Sequence, residues 1–326
     1  MKDFFIADAA KFDNQTVTTY FCLSSLSVRD RKQGGQYLAL TLSDKTGTIE
    51  GRMWEEIADS LQHCSEGCYV KVQGQVSKYQ GKFQITLTKM RSAADSEIDT
   101  ADFIPTSQFN IDEMYAELMG YVDNFKNPHL RALVHAFMDD ESIGAAFRVA
   151  PAAKRLHHAW IGGLLEHTVS LLELAVVICP RYPDIDQDLV LSGLFLHDIA
   201  KTVELSYTSG FDYTDQGRLI GHVVQGTIWI DQKAALASAK LKEPIRRDLV
   251  MVLEHILLSH HGVPEFGAAV MPKTPEAILV NLIDNLDAKT QMAVDAVAAP
   301  AEDNTWTEFQ KAFGTKLYRP SITIRD

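Results

Sequence analysis

Histidines and aspartates interrupt the apolar stretches in the second half of the sequence, at positions where an ordinary helix would bury aliphatic side chains. The pattern is H-x29-HD-x23-H-x37-HH-x22-D, and its members are His167, His197, Asp198, His222, His260, His261 and Asp284. A buried imidazole or carboxylate without a partner is costly. A single one would more simply be a core residue with a local partner, but the whole set predicts a shared divalent-metal site. Imidazole with carboxylate suits manganese, iron, nickel, cobalt or zinc, whereas an oxygen-rich site would suit magnesium better.

The segments that carry these residues have the period of helices. From about residue 109 onward, apolar residues recur three and four positions apart, as in "HLRALVHAFM" and "LLEHTVSLLELAVVICPRY". We expect one continuous helix over residues 186–205, which include His197 and Asp198. A helical bundle can collect ligands from facing helices at its centre. The pattern therefore predicts an all-α second half with the metal site in its interior.

The first half of the chain has the period of strands instead. Five short runs alternate apolar and polar residues between residues 16 and 88, and a short helix "EEIADSLQHC" separates the third run from the fourth. A small sheet of this kind must cover its edges, and a closed five-stranded barrel does so. The order of elements resembles the OB-fold family, whose strands 2 and 3 and flanking loops bind oligonucleotides.

Cations and aromatic residues fall where an OB-fold would bind a strand. The first loop carries Arg29, Arg31 and Lys32, the last loop carries Lys78, Tyr79 and Lys82, and the outward strand positions include Tyr37, Arg52, Trp54 and Lys71. Bases stack on aromatic rings and phosphates pair with cations, so this combination favours single-stranded nucleic acid. The alternative is an ordinary solvated surface. We place the OB-fold domain at residues 1–92, a linker at 93–108 and the helical domain at 109–326.

Composition bears on the cellular location of the protein and on whether its charge permits nucleic-acid binding. The net charge of −12 alone disfavours nucleic-acid binding, but residues 1–92 carry 12 Lys and Arg against 10 Asp and Glu, and the remainder carries 19 against 33. The start "MKDFFIADAAKFDNQ" has no signal-peptide pattern, and we count no apolar run near the about 18 residues of a membrane span. We expect a cytoplasmic protein that does not enter a membrane. The four cysteines are too few for a disulfide framework, and we read them as reduced thiols in preference to a zinc site at Cys64 and Cys68.

The histidine and aspartate pattern is similar to that of a known family. His167, His197–Asp198 and Asp284 resemble the H…HD…D signature of HD-domain metal-dependent phosphohydrolases, and "HDIAK" matches their HD-x-x-K form. The resemblance covers roughly residues 150–295. It implies a first metal bound by His167, His197, Asp198 and Asp284. It also implies that Asp198 bridges to a second metal, held by His222, His260 and His261.

The combination with an OB-fold narrows the resemblance to the YhaM-type 3'-5' exoribonucleases. It is carried by "PAAKRLHHAWIGGLLEHT", "LFLHDIAKTVELS", "ILLSHHG" and "PKTPEAILVNLIDNLDAK". The family implies a manganese-dependent enzyme that trims single-stranded RNA, and often DNA, from the 3' end and releases nucleoside 5'-monophosphates. A homo-oligomer is compatible with such an enzyme. The HD pattern alone leaves open a phosphohydrolase of a small nucleotide or cyclic dinucleotide, or a non-catalytic RNA-binding protein.

Four residues outside the metal set are further candidates. Lys201 could stabilise charge on the phosphoryl oxygens, or it could be a solvated lysine at a helix end. His157 and His158 could contact the substrate phosphate or sugar, or have a local structural role. His255 could orient one of the ligands.

Overall fold

The computed structural model describes residues 2–31, 34–55, 57–153, 158, 160–206, 212–298 and 305–319. Two compact units divide the chain, namely Met1–Thr106 with Ser206–Asp212, and Ser107–Leu205 with Tyr213–Asp326. Lys32 and His157 lie outside the described residues, so the predictions for these two side chains stay predictions.

The first unit contains a closed barrel of five strands. They are β1 (Thr16–Asp30), β2 (Gln36–Asp44), β3 (Gly47–Met53), β4 (Tyr69–Tyr79) and β5 (Lys82–Ser92), with helix α1 (Ile57–His63) between β3 and β4. The order around the barrel is β1-β2-β3-β5-β4, and the pairing of β3 with β5 is parallel while the others are antiparallel. This architecture confirms the predicted five-stranded OB-fold.

The alternating apolar residues of the strands fill the barrel. Leu38, Leu40 and Leu42 of β2 are 0 to 3% exposed, and the inward residues of β4 and β5 are equally buried. Because successive side chains of a strand point to opposite faces, the polar and aromatic residues between them point outward. The barrel core therefore decides which side chains of β2 and β3 are available to a ligand.

The segment predicted as a linker contains short helices and buried residues. Short 3-10 helices span Asp95–Glu97 and Thr100–Asp102, in addition to Ile6–Phe12 at the start of the chain. Phe103 and Ile104 are buried, and the Phe103 ring lies 4.8 Å from that of Tyr69 in β4. Phe103 and Ile104 therefore attach this segment to the barrel. Because two apolar residues produce no periodic pattern, the sequence did not predict this packing. The domain boundaries stay predictions.

The second unit is helical, as predicted. Its helices are α2 (Ile111–Asp123), α3 (Pro128–Met138), α4 (Glu141–Val149), α5 (Gly163–Ile178), α6 (Gln187–Leu196), α7 (Lys201–Glu204), α8 (Asp215–Leu219), α9 (Gly221–Leu241), α10 (Arg247–Ser259) and α11 (Pro275–Ala298). Short 3-10 helices span Cys179–Arg181 and Pro264–Phe266, and the two-residue strands β6 (Leu205–Ser206) and β7 (Asp212–Tyr213) pair with each other. Asn110, Asn127, Asp140 and Asp186 accept the first backbone amides of α2, α3, α4 and α6 and so define where these helices begin.

One helix prediction was wrong in a way that matters for the site. The continuous helix expected over residues 186–205 ends at Leu196, a turn follows, and α7 starts at Lys201. In a continued helix the Leu194 carbonyl would accept the amide of Asp198. That carbonyl lies instead 2.7 Å from Nδ1 of His197, so a local side-chain contact competes with the next helical hydrogen bond.

Helix α5 and the turn after it are long and apolar enough to cross a membrane by length and composition alone. This stretch, Gly163–Arg181, has a mean hydropathy of 1.5, and our count of apolar runs in the sequence missed it. However, 56% of it is buried inside the protein, and α5 carries His167 at its fully buried face. These properties are those of a core helix.

Candidate metal centre and nucleic-acid-binding surface

The predicted ligands come from five places in the helical unit. His167 lies on α5, His197 and Asp198 follow α6, His222 is the second residue of α9, His260 and His261 follow α10, and Asp284 lies on α11. All of them lie in one neighbourhood, because successive rings from His167 through His197 and His260 to His222 are 5.0 to 5.7 Å apart. The structure therefore brings the whole predicted set together.

Four of the ligands surround one side of the centre, namely His167, His197, Asp198 and Asp284. Nε2 of His167 lies 3.2 Å from Oδ1 of Asp284, and Nε2 of His197 lies 3.8 Å from the same oxygen. His167, His197 and Asp198 offer ligand atoms within 4.8 Å of one another. This arrangement can hold a divalent cation.

A second group of three histidines lies on the other side. His222, His260 and His261 also offer ligand atoms within 4.8 Å of one another. Asp198 contacts both groups, because its Oδ2 is 3.2 Å from Nε2 of His197 and its Oδ1 is 3.2 Å from Nε2 of His222. Asp198 is thus the carboxylate common to both groups.

In two of the histidines, His197 and His260, Nδ1 is held away from the centre. Nδ1 of His197 contacts the Leu194 carbonyl and Nδ1 of His260 contacts the Leu257 carbonyl, each at 2.7 Å. A Leu-x-x-His pattern at the C-terminal end of α6 and of α10 therefore orients the histidine ring in the same way in both places. A proton on Nδ1 leaves the lone pair on Nε2, which is the atom that faces the other ligands.

Several buried polar atoms at this centre fit a cation. Nε2 of His197, His222 and His260 and Oδ1 of Asp198 have no hydrogen-bond partner among the described residues, a state that is costly in a protein interior. Burial lowers the pKa of His260 and His261, which favours the neutral imidazole that binds metals. Burial raises the pKa of Asp198, but His197 and Lys201 lower it by more and keep the carboxylate ionised. The unpartnered donor atoms, the neutral His260 and His261 and the ionised Asp198 suit a divalent metal.

Lys201 contacts the shared carboxylate directly. Its Nζ lies 2.6 Å from Oδ2 of Asp198, and its side chain is 14% exposed. Burial lowers the pKa of Lys201, but the charge and hydrogen bond of Asp198 together with the charges of Asp284 and Glu204 outweigh burial and raise it, so the ammonium persists. The alternative of a solvated lysine at a helix end is wrong.

Two other predicted residues have different neighbours from those expected. His158 is 4% exposed, and its ring nitrogens lie 3.3 Å from Asp287 and 3.5 Å from Glu166, so it faces two carboxylates where a phosphate contact was predicted. Burial lowers its pKa, but hydrogen bonds to Asp287 and Glu166 outweigh this and raise it to about 9. Nε2 of His255 accepts the amide of Lys273 at 2.9 Å and does not orient a ligand.

Sequence reasoning missed two carboxylates that adjoin the centre. Oδ2 of Asp287 lies 2.8 Å from Nδ1 of His167, and Oε1 of Glu204 lies 2.9 Å from Nδ1 of His222. Asp287 follows Asp284 by three positions in "DNLDAK" and so lies on the same side of α11, which was a usable signal. Nothing in the local sequence distinguishes Glu204 from a solvated glutamate.

On the barrel, five of the ten predicted nucleic-acid-binding residues adjoin one another around the outer face of β2 and β3. The rings of Tyr37 and Trp54 stack at 4.6 Å. The guanidinium of Arg31 lies 5.2 Å from the Trp54 ring, and that of Arg52 lies 5.2 Å from the Tyr79 ring. The first and last loops therefore meet β3 through cation-π contacts, and a face with aromatic rings and cations results.

The remaining predicted surface residues differ in where they lie on the barrel. Arg29 pairs in register with Tyr37 and is exposed, as are Lys78 and Lys82 near the β4-β5 turn. Lys71, in contrast, lies 5.0 Å from the ring of Tyr20, on the pairing of β4 with β1. The alternation of apolar and polar residues predicts correctly that the Lys71 side chain points out of the barrel. It does not predict on which side of the closed barrel that side chain lies.

Comparisons with known proteins agree with both units. A family model described as an OB-fold nucleic acid binding domain matches residues 26–93, and a model described as an HD domain matches residues 164–289. Two relatives carry the name 3'-5' exoribonuclease YhaM. The one from Bacillus pumilus is 33% identical over 310 residues, and the one from Bacillus subtilis is 32% identical over 311 residues. Each match covers 94% of this chain and 96% of the relative. Among solved structures, the second OB-fold domain of replication protein A from Methanococcus maripaludis is 25% identical over 26% of this chain and 88% of that one, with a TM-score of 0.22.

Proposed function

Because the chain belongs to the family of YhaM 3'-5' exoribonucleases, we propose that it removes nucleotides one at a time from the 3' end of single-stranded RNA. The proposal extends to single-stranded DNA as a second substrate and to nucleoside 5'-monophosphates as products. Its support is the coexistence of a nucleic-acid-binding barrel and an HD domain in one chain.

We propose further that the centre binds two divalent ions, manganese by preference. The observation that carries this is Asp198, whose two oxygens face different histidine groups. His167, His197 and Asp284 would hold one ion, and His222, His260 and His261 the other. Bound divalent ions supply an activated water and positive charge for the phosphoryl oxygens.

The protein's own side chains have separate tasks in this proposal. His197 and His260 keep Nε2 directed at the centre because their Nδ1 atoms contact backbone carbonyls. Lys201, held beside Asp198, supplies a fixed positive charge for the developing charge of the scissile phosphate. Tyr37 and Trp54 would stack bases of the strand while Arg31 and Arg52 neutralise its phosphates.

A labelled strand tests this function directly. With manganese present, 3'-labelled single-stranded RNA should release labelled mononucleotide at once, whereas 5'-labelled RNA should shorten stepwise and keep its label. Chromatography against standards should identify 5'-monophosphates. Early release of the 5' label, internal cleavage, or intact RNA with manganese, cobalt and nickel would each contradict the proposal.

The second candidate is a phosphohydrolase of small nucleotides or cyclic dinucleotides, which the HD domain alone would permit. A panel of mononucleotides, cyclic dinucleotides and oligomers separates the two candidates. The exoribonuclease proposal expects turnover only of linear oligomers.

A further inference from the structure

Two histidines of the centre are held by carboxylates that the proposed mechanism does not otherwise use. Nδ1 of His167 lies 2.8 Å from Oδ2 of Asp287, and Nδ1 of His222 lies 2.9 Å from Oε1 of Glu204. The corresponding nitrogens of His197 and His260 face backbone carbonyls instead. Each of the two histidine groups thus contains one ring held by a formal negative charge.

Both carboxylates are fixed by contacts of their own. The Ser170 hydroxyl donates to Oδ1 of Asp287 at 2.5 Å, and His158 approaches its Oδ2 at 3.3 Å. Glu204 accepts the backbone amide of His222 at 3.0 Å in addition to its ring. Their side chains are 12% and 10% exposed, so neither carboxylate moves freely in solvent.

We propose that Asp287 and Glu204 are matched positioning residues, Asp287 for the ion held by His167 and Glu204 for the ion held by His222. A carboxylate that accepts the Nδ1 proton selects the tautomer with its lone pair on Nε2, fixes the ring plane and makes Nε2 a better donor. A backbone carbonyl selects the tautomer but adds no full charge. The inference rests on the two-ion proposal and assigns one carboxylate to each ion.

The test measures manganese binding to the full chain, without RNA, by titration calorimetry on metal-free protein. Asp287→Asn and Glu204→Gln should each lower the affinity of one of two binding steps by about 10–100-fold. An amide can donate its own N–H to Nδ1, which would place the ring proton on Nε2 and block metal binding. The double variant should weaken both steps.

Two further variants separate positioning from folding. Asp295→Asn makes the same change at an exposed site on the same helix and should bind manganese as the unchanged chain does. Ser170→Ala removes only the hydroxyl that orients Asp287, and it should weaken the same step as Asp287→Asn to a smaller extent.

The outcomes distinguish this inference from the proposed function. If the unchanged chain binds two ions and both carboxylate variants bind them equally well, the positioning role is wrong while the function stands. If the variants lose helical circular dichroism in the absence of metal in proportion to their lost affinity, the carboxylates are structural and the inference fails. If the unchanged chain binds one ion or none, the two-ion proposal fails and this inference with it.

Discussion

At the scale of single residues, Asp198 connects the two histidine groups. One oxygen lies near His197 and the other near His222, and the Lys201 ammonium balances part of its charge. Because this carboxylate has less than a tenth of its side chain exposed, its ionised form depends on nearby positive charge, to which the Lys201 ammonium contributes. Removal of the charge should therefore affect both proposed ion positions together.

We predict that Asp198→Asn and His197→Ala each lower exonuclease activity by more than the ~10–100-fold expected for loss of an outer partner of a ligand. Single-strand binding measured without metal should change little, because the barrel carries the proposed strand-binding residues. Gel-based nuclease assays and fluorescence anisotropy measure the two properties. Normal activity and metal content in either variant would show that the ligand assignment is wrong.

His255 provides the opposite test at the same scale. Its ring accepts the Lys273 amide and contacts none of the described ligand side chains by hydrogen bond. His255→Ala should keep the manganese affinity and the pH profile of the reaction unchanged, with at most a small loss of stability. A changed manganese affinity would restore the role predicted from the sequence.

At the scale of elements, the metal centre depends on where helices end. Helices α6 and α10 both stop just before a ligand histidine, and in each case the ring contacts the carbonyl three positions earlier. The same side chain that ends the helix is thereby directed at the centre. His197, Asp198, His260 and His261 therefore follow helix ends, whereas His167 and Asp284 lie within α5 and α11.

Helix α4 offers a prediction about stability. Asp140 caps this helix and pairs with Lys233 at 2.7 Å, where the lysine side chain is 9% exposed. Asparagine also caps helices well, so Asp140→Asn removes mainly the charge and leaves Lys233 without its partner. We expect a loss of about 1 kcal/mol in the free energy of unfolding, allowing for solvent screening of the partly exposed carboxylate. Urea unfolding followed by circular dichroism measures it.

The pH dependence of that loss has a definite sign. Hydrogen bonds from Lys233 and Ser142 hold the pKa of Asp140 well below its usual range. A carboxyl group whose pKa is lower in the folded than in the unfolded chain stabilises the fold at pH values above its unfolded pKa of about 3.9. This stabilisation is lost as the pH falls toward the folded pKa. The difference in the free energy of unfolding between Asp140→Asn and the unchanged chain should have its largest value at neutral pH and decrease below about pH 4. Asp139→Asn, at an exposed pair with Lys240, should cost little at any pH.

At the scale of the whole molecule, the two units differ in net charge and in the aromatic residues that they expose. The acidic helical half would repel a nucleic acid, but a count of ionised side chains omits bound cations at the centre. The barrel carries the stacked Tyr37 and Trp54 with arginines beside them. We therefore propose that the barrel recognises the strand and that the helical unit hydrolyses it.

Trp54→Ala tests this division. Loss of one stacking platform costs about 1–3 kcal/mol per base, so KM for a long single strand should rise while kcat changes little. A dinucleotide is shorter than the about 4–16 nucleotides that an OB-fold binds, so its turnover should not change. Trp306→Ala removes an exposed tryptophan of the helical unit and serves as the control. Equal effects on long and short substrates would contradict a strand-binding role for this face.

The sequence alone predicted the two folds and the candidate ligands that the structure brings together. Alternation of apolar residues predicted the barrel, and polar residues in otherwise apolar helices predicted the centre, because burying such groups is unfavourable unless they meet. Both signals are local or depend on residue type, so a single chain displays them. The names of the relatives then agree with the family that the HD pattern and the barrel suggested.

Tertiary structure decided which partners these residues have. Asp287 and Glu204 became visible only through their contacts with His167 and His222, and Lys71 proved to lie beside Tyr20 on a different pairing of the barrel from Tyr37 and Trp54. For His158, predicted either to contact the substrate or to have a local structural role, the structure shows two carboxylate neighbours. These pairings join residues far apart in the chain. They follow from how helices pack and how a sheet closes, which residue type and spacing do not specify.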